Sequence, residues 1–262
     1  MLEEIKSLPP LPNSVVRIQE MCINSETDID ELSRVIEHDP MLSANILKSV
    51  NSPLYGMSKE ISSVPQAIML FGISMIRGFA AASAIKKALS IDLHPYSSTI
   101  DELTQISSLQ MSLARTWYRQ ADKSMLPLLL SSAFLMELGK LVASLRVIGT
   151  GTADLFSQEI AHENSFEEIE QKYIGMSSYE IAATMFEHWN FEPALIEALR
   201  GICDPETANP YAQALRVIVQ TVNLKEAFSE MGIAAALTTI DKFGLNRAAF
   251  EEAVTTLKAS QK

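Results

Sequence analysis

Histidine is scarce in this chain: 4 among 262 residues, at positions 38, 94, 162 and 188. No two of them stand at helical spacing, so no helix supplies an imidazole pair for a metal ion. The two cysteines, Cys22 and Cys203, are far apart and make neither a metal nor a redox spacing. Two reduced thiols in a reducing compartment are expected. Glycine and proline number 10 and 11 and are scattered, which suits long helices with short connections. Positive charge is in deficit, with 21 Lys and Arg against 32 Asp and Glu and a formal net charge of −11. A surface this acidic repels phosphate backbones, and Lys86-Lys87 is a weak basic cluster, so no nucleic-acid partner is expected. The chain also lacks a Gly-x-Ser-x-Gly elbow, a Walker loop and a dinucleotide fingerprint. Gly149-Thr150-Gly151-Thr152 is glycine-rich but has neither the lysine nor the preceding strand of a phosphate loop.

Long uninterrupted apolar runs are missing too. The stretch 65–85 contains Gln66 and Arg77 and many small residues, among them Gly72, Gly78, Ala80 and Ala81. A membrane helix asks for about 20 more strongly apolar residues. A buried helix of a soluble bundle is expected instead, with no membrane insertion. Met1-Leu2-Glu3-Glu4 lacks the basic-then-apolar layout of a secretory leader, which makes a cytoplasmic location the expectation.

What is present is helical periodicity. Asp28-Ile29-Asp30-Glu31 opens a helix with acids facing the positive end of its dipole, and Ile29, Leu32, Val35 and Ile36 share one face. Asp39-Pro40 ends that helix and starts another, whose stripe is Leu42, Ile46, Leu47 and Val50. Asn51-Ser52-Pro53 stops it and Leu54-Tyr55-Gly56 turns the chain. Ser62-Ser63-Val64-Pro65 caps the apolar helix, and a polar break follows near His94–Ser98. Helices are predicted over about 101–120 and 124–148, then a break at Gly149-Thr150-Gly151. Ser165 with Glu168, and Ser177 with Glu180, fit capping boxes. Trp189–Pro193 separates two further helices, and two or three more follow from 209 to 257, with a break at Phe243-Gly244. No stretch shows strand alternation. The fold class is all-α, with segments expected at 1–98, 99–207 and 208–262.

Leu8-Pro9-Pro10-Leu11-Pro12, Asp39-Pro40-Met41-Leu42, Asn51-Ser52-Pro53-Leu54-Tyr55-Gly56 and Ala67-Ile68-Met69-Leu70-Phe71-Gly72 stand in an order that resembles the HDOD domain family over about residues 5–205. The resemblance implies an HD-domain-like multi-helix bundle with an N-terminal helical subdomain, related to HD metal phosphohydrolases, in a bacterial signalling context. Leu135-Met136-Glu137-Leu138-Gly139-Lys140 is similar to the Leu-His-Asp-Ile-Gly-Lys signature of those hydrolases. Met136 replaces the His and Glu137 the Asp, and a thioether is a poor ligand for hard or borderline divalent ions.

The other ligand positions that the resemblance implies have lost imidazole as well. No His occurs between 94 and 162, which covers the helix expected to carry an early one. Ser178, three residues after Gly175, stands where another belongs, and Ile202-Cys203 stands for a His-His pair. Glu137 and Lys140, three apart, read as an ordinary helical pair worth a few tenths of a kcal/mol. The literal His38-Asp39 is a decoy: Asp39 is expected to cap the helix begun by Pro40, with His38 partly exposed. His94, His162 and His188 are expected at the surface or in caps.

No catalytic residue, metal or cofactor is expected. The function expected is regulatory signal transduction through contacts with unidentified signalling proteins, without catalysis. One alternative is a receptor that binds a nucleotide in the vestigial site, with Lys140, Arg115 and Arg146 as possible sources of charge. Another is a residual phosphohydrolase built on Glu137. Asn51, Ser52 and Tyr55 are the candidate partner or ligand contacts, the other reading being that their turn only docks helices.

Overall fold

The computed structural model describes residues 1–6, 8–23, 27–55, 57, 59–88, 92–162 and 165–260. Gly56, at the end of the expected turn, lies outside them. The chain divides into two compact units, 8–90, and 1–7 with 91–262. This differs from the three segments expected. Residues 99–207 and 208–262 share one unit because α7 (Ile100–Ala121) and α8 (Leu126–Leu135) pack against α14 (Pro210–Thr221), and α7 also packs against α16 (Arg247–Ser260). Among the described residues the only β pairing is a single bridge, Val222 to Ala227.

After α1 (Leu2–Lys6), which belongs to the larger unit, the smaller unit runs through α2 (Asn13–Ile23), α3 (Ile29–Glu37), α4 (Pro40–Val50), α5 (Val64–Phe71) and α6 (Ile73–Ala88). Its core takes in most of the expected stripes, with Leu32, Ile36, Leu42, Ile46 and Val50 buried, whereas Ile29, in the first turn of α3, is exposed. Asp39 caps α4 by accepting the Leu42 amide at 3.1 Å, and its other oxygen accepts Ser14 Oγ at 3.0 Å. His38 is exposed at the end of α3, as expected.

The single helix expected over 65–85 is two helices. Gly72 takes φ +81°, a left-handed backbone that favours glycine, and the axes on either side diverge by 119°. Near the bend, the rings of Tyr55, Phe71 and Phe79 meet edge to face at 5.1–6.3 Å.

In the larger unit the helix expected over 124–148 is interrupted at the signature itself. α8 ends at Leu135, a 3-10 turn spans Met136–Leu138, and α9 (Gly139–Gly149) follows. The run Lys123–Gly149 is long and apolar enough by composition to cross a membrane. Its most apolar window is 89% buried inside the protein, as a core helix is. α10 (Ala153–His162), α11 (Phe166–Ile174), α12 (Ser178–His188), α13 (Pro193–Arg200) and α15 (Glu230–Phe243) complete the bundle. Ser177 and Glu180 close both arms of the capping box that starts α12. α9 and α12 pack closely because Gly139 has no side chain: a Cβ there would lie 1.8 Å from the Ser178 carbonyl oxygen.

Candidate functional site

The signature turn faces a buried polar network drawn from several elements of the larger unit. Glu137, on the Met136–Leu138 turn, accepts Gln110 Nε2 from α7 at 2.6 Å through Oε1. Its Oε2 lies 2.7 Å from Lys140 Nζ, in the first turn of α9. Lys140 Nζ also donates to Ser178 Oγ at 3.1 Å, at the start of α12, and lies 4.0 Å from Glu170 Oε1 on α11. Glu170 in turn accepts Tyr96 OH at 2.9 Å and the Ser178 amide at 2.6 Å. Gln110 Nε2 further donates to the Val222 carbonyl at 2.9 Å. Lys140 and Glu137 are each 1% exposed and Glu170 is 0% exposed.

Burial and charge pull against each other here. Burial tends to lower the Lys140 ammonium, but the Glu137 and Glu170 carboxylates together outweigh it and leave its pKa raised. Lys140 is therefore charged. Burial raises the Glu170 carboxyl above the ordinary carboxylate range, against the pull of Lys140 and of its hydrogen-bond donors. Tyr96 is pushed well above the ordinary phenol by burial and then by Glu170, so it stays protonated and donates.

The HDOD domain model matches residues 8–205. The chain belongs to the HDOD family. Among solved structures, an HDOD domain protein of unknown function from Geobacter sulfurreducens matches with a TM-score of 0.60 and 15% identity, covering 99% of this chain and 97% of that one. A candidate phosphohydrolase from Shewanella amazonensis matches at 0.71 and 20% identity over 99% and 94% of the two chains. A candidate signal transduction protein from Marinobacter aquaeolei matches at 0.75 and 23% identity, covering 97% of this chain and 57% of its own. These likenesses establish the fold. By sequence, an uncharacterised Treponema pallidum protein is 25% identical over 104 residues, 40% of this chain and 19% of that relative, so the match spans about a fifth of its length.

The HDOD fold brings together only some of the positions that the resemblance assigns to a metal site. Glu137 and Ser178 meet through Lys140. Met136 and Ile202 are buried apolar side chains, and the Ile202 carbonyl accepts Arg216 Nη1 at 2.9 Å. Cys203 lines an open cleft of about 570 Å³ with Glu167, Glu168, Gln171, Lys172, Ser177 and Glu180. The family's relation to metal phosphohydrolases implies a divalent ion, and the residues present do not fit one. The signature carboxylate is engaged by an ammonium at 2.7 Å. Among the described residues no group of three His, Cys, Asp or Glu side chains could hold a metal.

Glu137 and Lys140 are thus not the ordinary helical pair expected, since neither meets solvent. Of the possible sources of charge for a nucleotide, Arg146 Nη1 pairs with Glu4 at 2.7 Å, while Lys140 serves the buried network. In the smaller unit the Asn51 side chain is engaged by backbone. Its Nδ2 donates to the carbonyls of Leu47 and Ile61 at 2.9 and 2.8 Å, and its Oδ1 accepts the Ile61 amide at 2.8 Å. Ser52 continues the turn by accepting the Tyr55 amide through its carbonyl. Gln110, Tyr96 and Glu170 were missed in the sequence. A signal existed for two of them: Glu170 shares a helical face with Phe166, Ile169 and Tyr173, and Gln110 shares one with Leu103, Ala114 and Trp117. A polar residue in an apolar stripe marks a buried network.

Proposed function

We propose that this HDOD protein is a non-catalytic regulatory component of bacterial signal transduction, acting in the cytoplasm through contacts with other proteins. The observation that carries this reading is the chemistry at the former ligand positions. Metal-assisted hydrolysis needs side chains that hold a dication and lower the pKa of its water. Here Met136 supplies a thioether, Ser178 a hydroxyl already bonded to Lys140, and Ile202 a hydrocarbon. The Glu137 carboxylate faces an ammonium that repels any second cation.

The neighbouring cleft also speaks against a nucleotide receptor. Three of its lining side chains are the carboxylates Glu167, Glu168 and Glu180, and its Lys172 pairs with Glu159 at 2.6 Å. An anionic ligand would meet like charge.

Metal analysis of the purified protein, with hydrolysis assays on phosphomonoesters and cyclic nucleotides, tests the proposal. No stoichiometric dication and no turnover are expected. Tightly held metal with turnover that Glu137→Ala abolishes would end it. A thermal-shift screen with cyclic dinucleotides is expected to give no stabilisation; a saturable shift would transfer the case to the receptor reading.

A further inference from the structure

The Lys140 ammonium is held by groups that converge from well beyond its own helix. Besides Glu137, Ser178 and Glu170, the ring centroids of Tyr179, Phe166 and Tyr96 lie 4.8, 5.2 and 5.8 Å from Nζ. The hydration shell of a free ammonium has been replaced by an ion pair, a hydroxyl and π faces. The carboxylates it approaches also accept hydrogen bonds elsewhere, Glu137 through Oε1 from Gln110, and Glu170 from Tyr96 and the Ser178 amide. Such second partners are what a buried ion pair needs to offset its desolvation. Two of the contacts, Glu137 and Ser178, are positions at which the HD signature would place metal ligands.

We propose that the Lys140 ammonium is the resident cation of this protein: a covalently attached single charge that bridges the signature turn, α11 and α12, and makes the fold independent of metal. Without it Glu137 and Glu170 would remain in the dry interior with one charge sign between them. The inference concerns what holds the larger unit together, and it stands whether or not the protein signals through partners.

The test is thermal unfolding of the full chain. Lys140→Met keeps the bulk and removes the charge. In EDTA its melting temperature is expected to fall by about 10 °C, the loss typical of a buried pair left with one partner. Millimolar Mn²⁺ should restore at least about half of that loss, because the bared carboxylates then take up a dication by mass action. The unaltered protein should shift by less than about 1 °C with Mn²⁺ or EDTA, since its cation cannot leave. If Lys140→Met does not fold, the charge-free triple variant Lys140→Met/Glu137→Gln/Glu170→Gln decides. It is expected to fold and to melt within about 5 °C of the unaltered protein, because no isolated charge remains buried. Three results would overturn the proposal: stabilisation of the unaltered protein by Mn²⁺, an unchanged melting temperature in Lys140→Met, or a triple variant no better than the single one. Metal content and turnover of the unaltered protein are read separately, so failure here is distinct from failure of the regulatory reading.

Discussion

In the smaller unit the signature residues act on backbone close to them in sequence. Asp39 caps the helix that begins at the next residue, Asn51 ties Leu47 to Ile61, and Gly72 turns an apolar run through 119°. In the larger unit the signature turn sits in a network whose bonds span long stretches of sequence. Gln110 joins Glu137 to Val222, 112 positions away, and Tyr96 reaches Glu170 across 74. Motifs that set local geometry survive any change of chemistry, because the bend or cap is still needed. Motifs that hold a shared ion can change identity together, provided the buried charges still balance. That is how a chain can keep the family's fold while its signature turn carries Met136 and Glu137 beside a buried lysine that the signature already includes.

The sharpest way to break this contrast is at Gly139. An added Cβ meets three backbone atoms, Ser178 O at 1.8 Å and Ala182 N and Ser178 C at 2.8 Å each, and none can swing aside. Gly139→Ala therefore forces α12 off α9 and draws Ser178 away from Lys140. A loss of more than about 4 kcal/mol is expected, at the severe end for single substitutions, read as a collapsed urea midpoint or as failure to recover folded protein. A midpoint close to the parent's would show that the two helices have slack. Asn51→Ala probes the local mode. It removes three hydrogen bonds and leaves the Ile61 amide and carbonyl without the Asn51 side chain, so about 2–3 kcal/mol is expected. Hydrogen exchange should quicken at Ile61 and its neighbours while the Ser178 amide stays protected. Equal quickening in both units would erase the distinction.

The same contrast explains what could be read from the sequence. Caps and stripes were legible because their partners lie within four residues: Asp39 with Leu42, Ser177 with Glu180, and the face of Leu32 and Ile36. Thr99 and Glu102 close a further capping box that shows in the sequence as Thr-x-x-Glu and passed unremarked. The bend at Gly72 was not legible, since a glycine in an apolar run fits a straight buried helix equally well. That no imidazole stands at the positions the resemblance implies was plain one position at a time. What took their place was not, because spacing alone cannot distinguish a solvent-washed Glu137–Lys140 pair from one that is 1% exposed on both sides. Tyr96 sits in a short polar break and gave no sign that its hydroxyl serves a carboxylate 74 residues on.

Each unit holds one cysteine, which allows a gentler measurement. Cys203 sits in the acidic cleft, where burial first, and then the Glu167 carboxylate, push its thiol up from an ordinary 9.0 to about 12. At pH 8 the distance from 9.0 to about 12 makes its thiolate about a thousandfold scarcer. The higher basicity of that thiolate returns somewhat under half of this on a logarithmic scale, leaving alkylation about thirtyfold slower than in the unfolded chain. A Cys22→Ser background lets iodoacetamide labelling, followed by mass, report on Cys203 alone. The sign of the accompanying stability effect is fixed. The folded state prefers the neutral thiol, so this contribution is complete below pH 9 and is lost as pH rises from there toward about 12. Glu167→Gln removes the carboxylate that raises the thiol most, and should speed labelling several-fold without unfolding the protein. If the rate instead matches the unfolded chain from the start, the cleft is not the shielded, carboxylate-lined environment that its geometry implies.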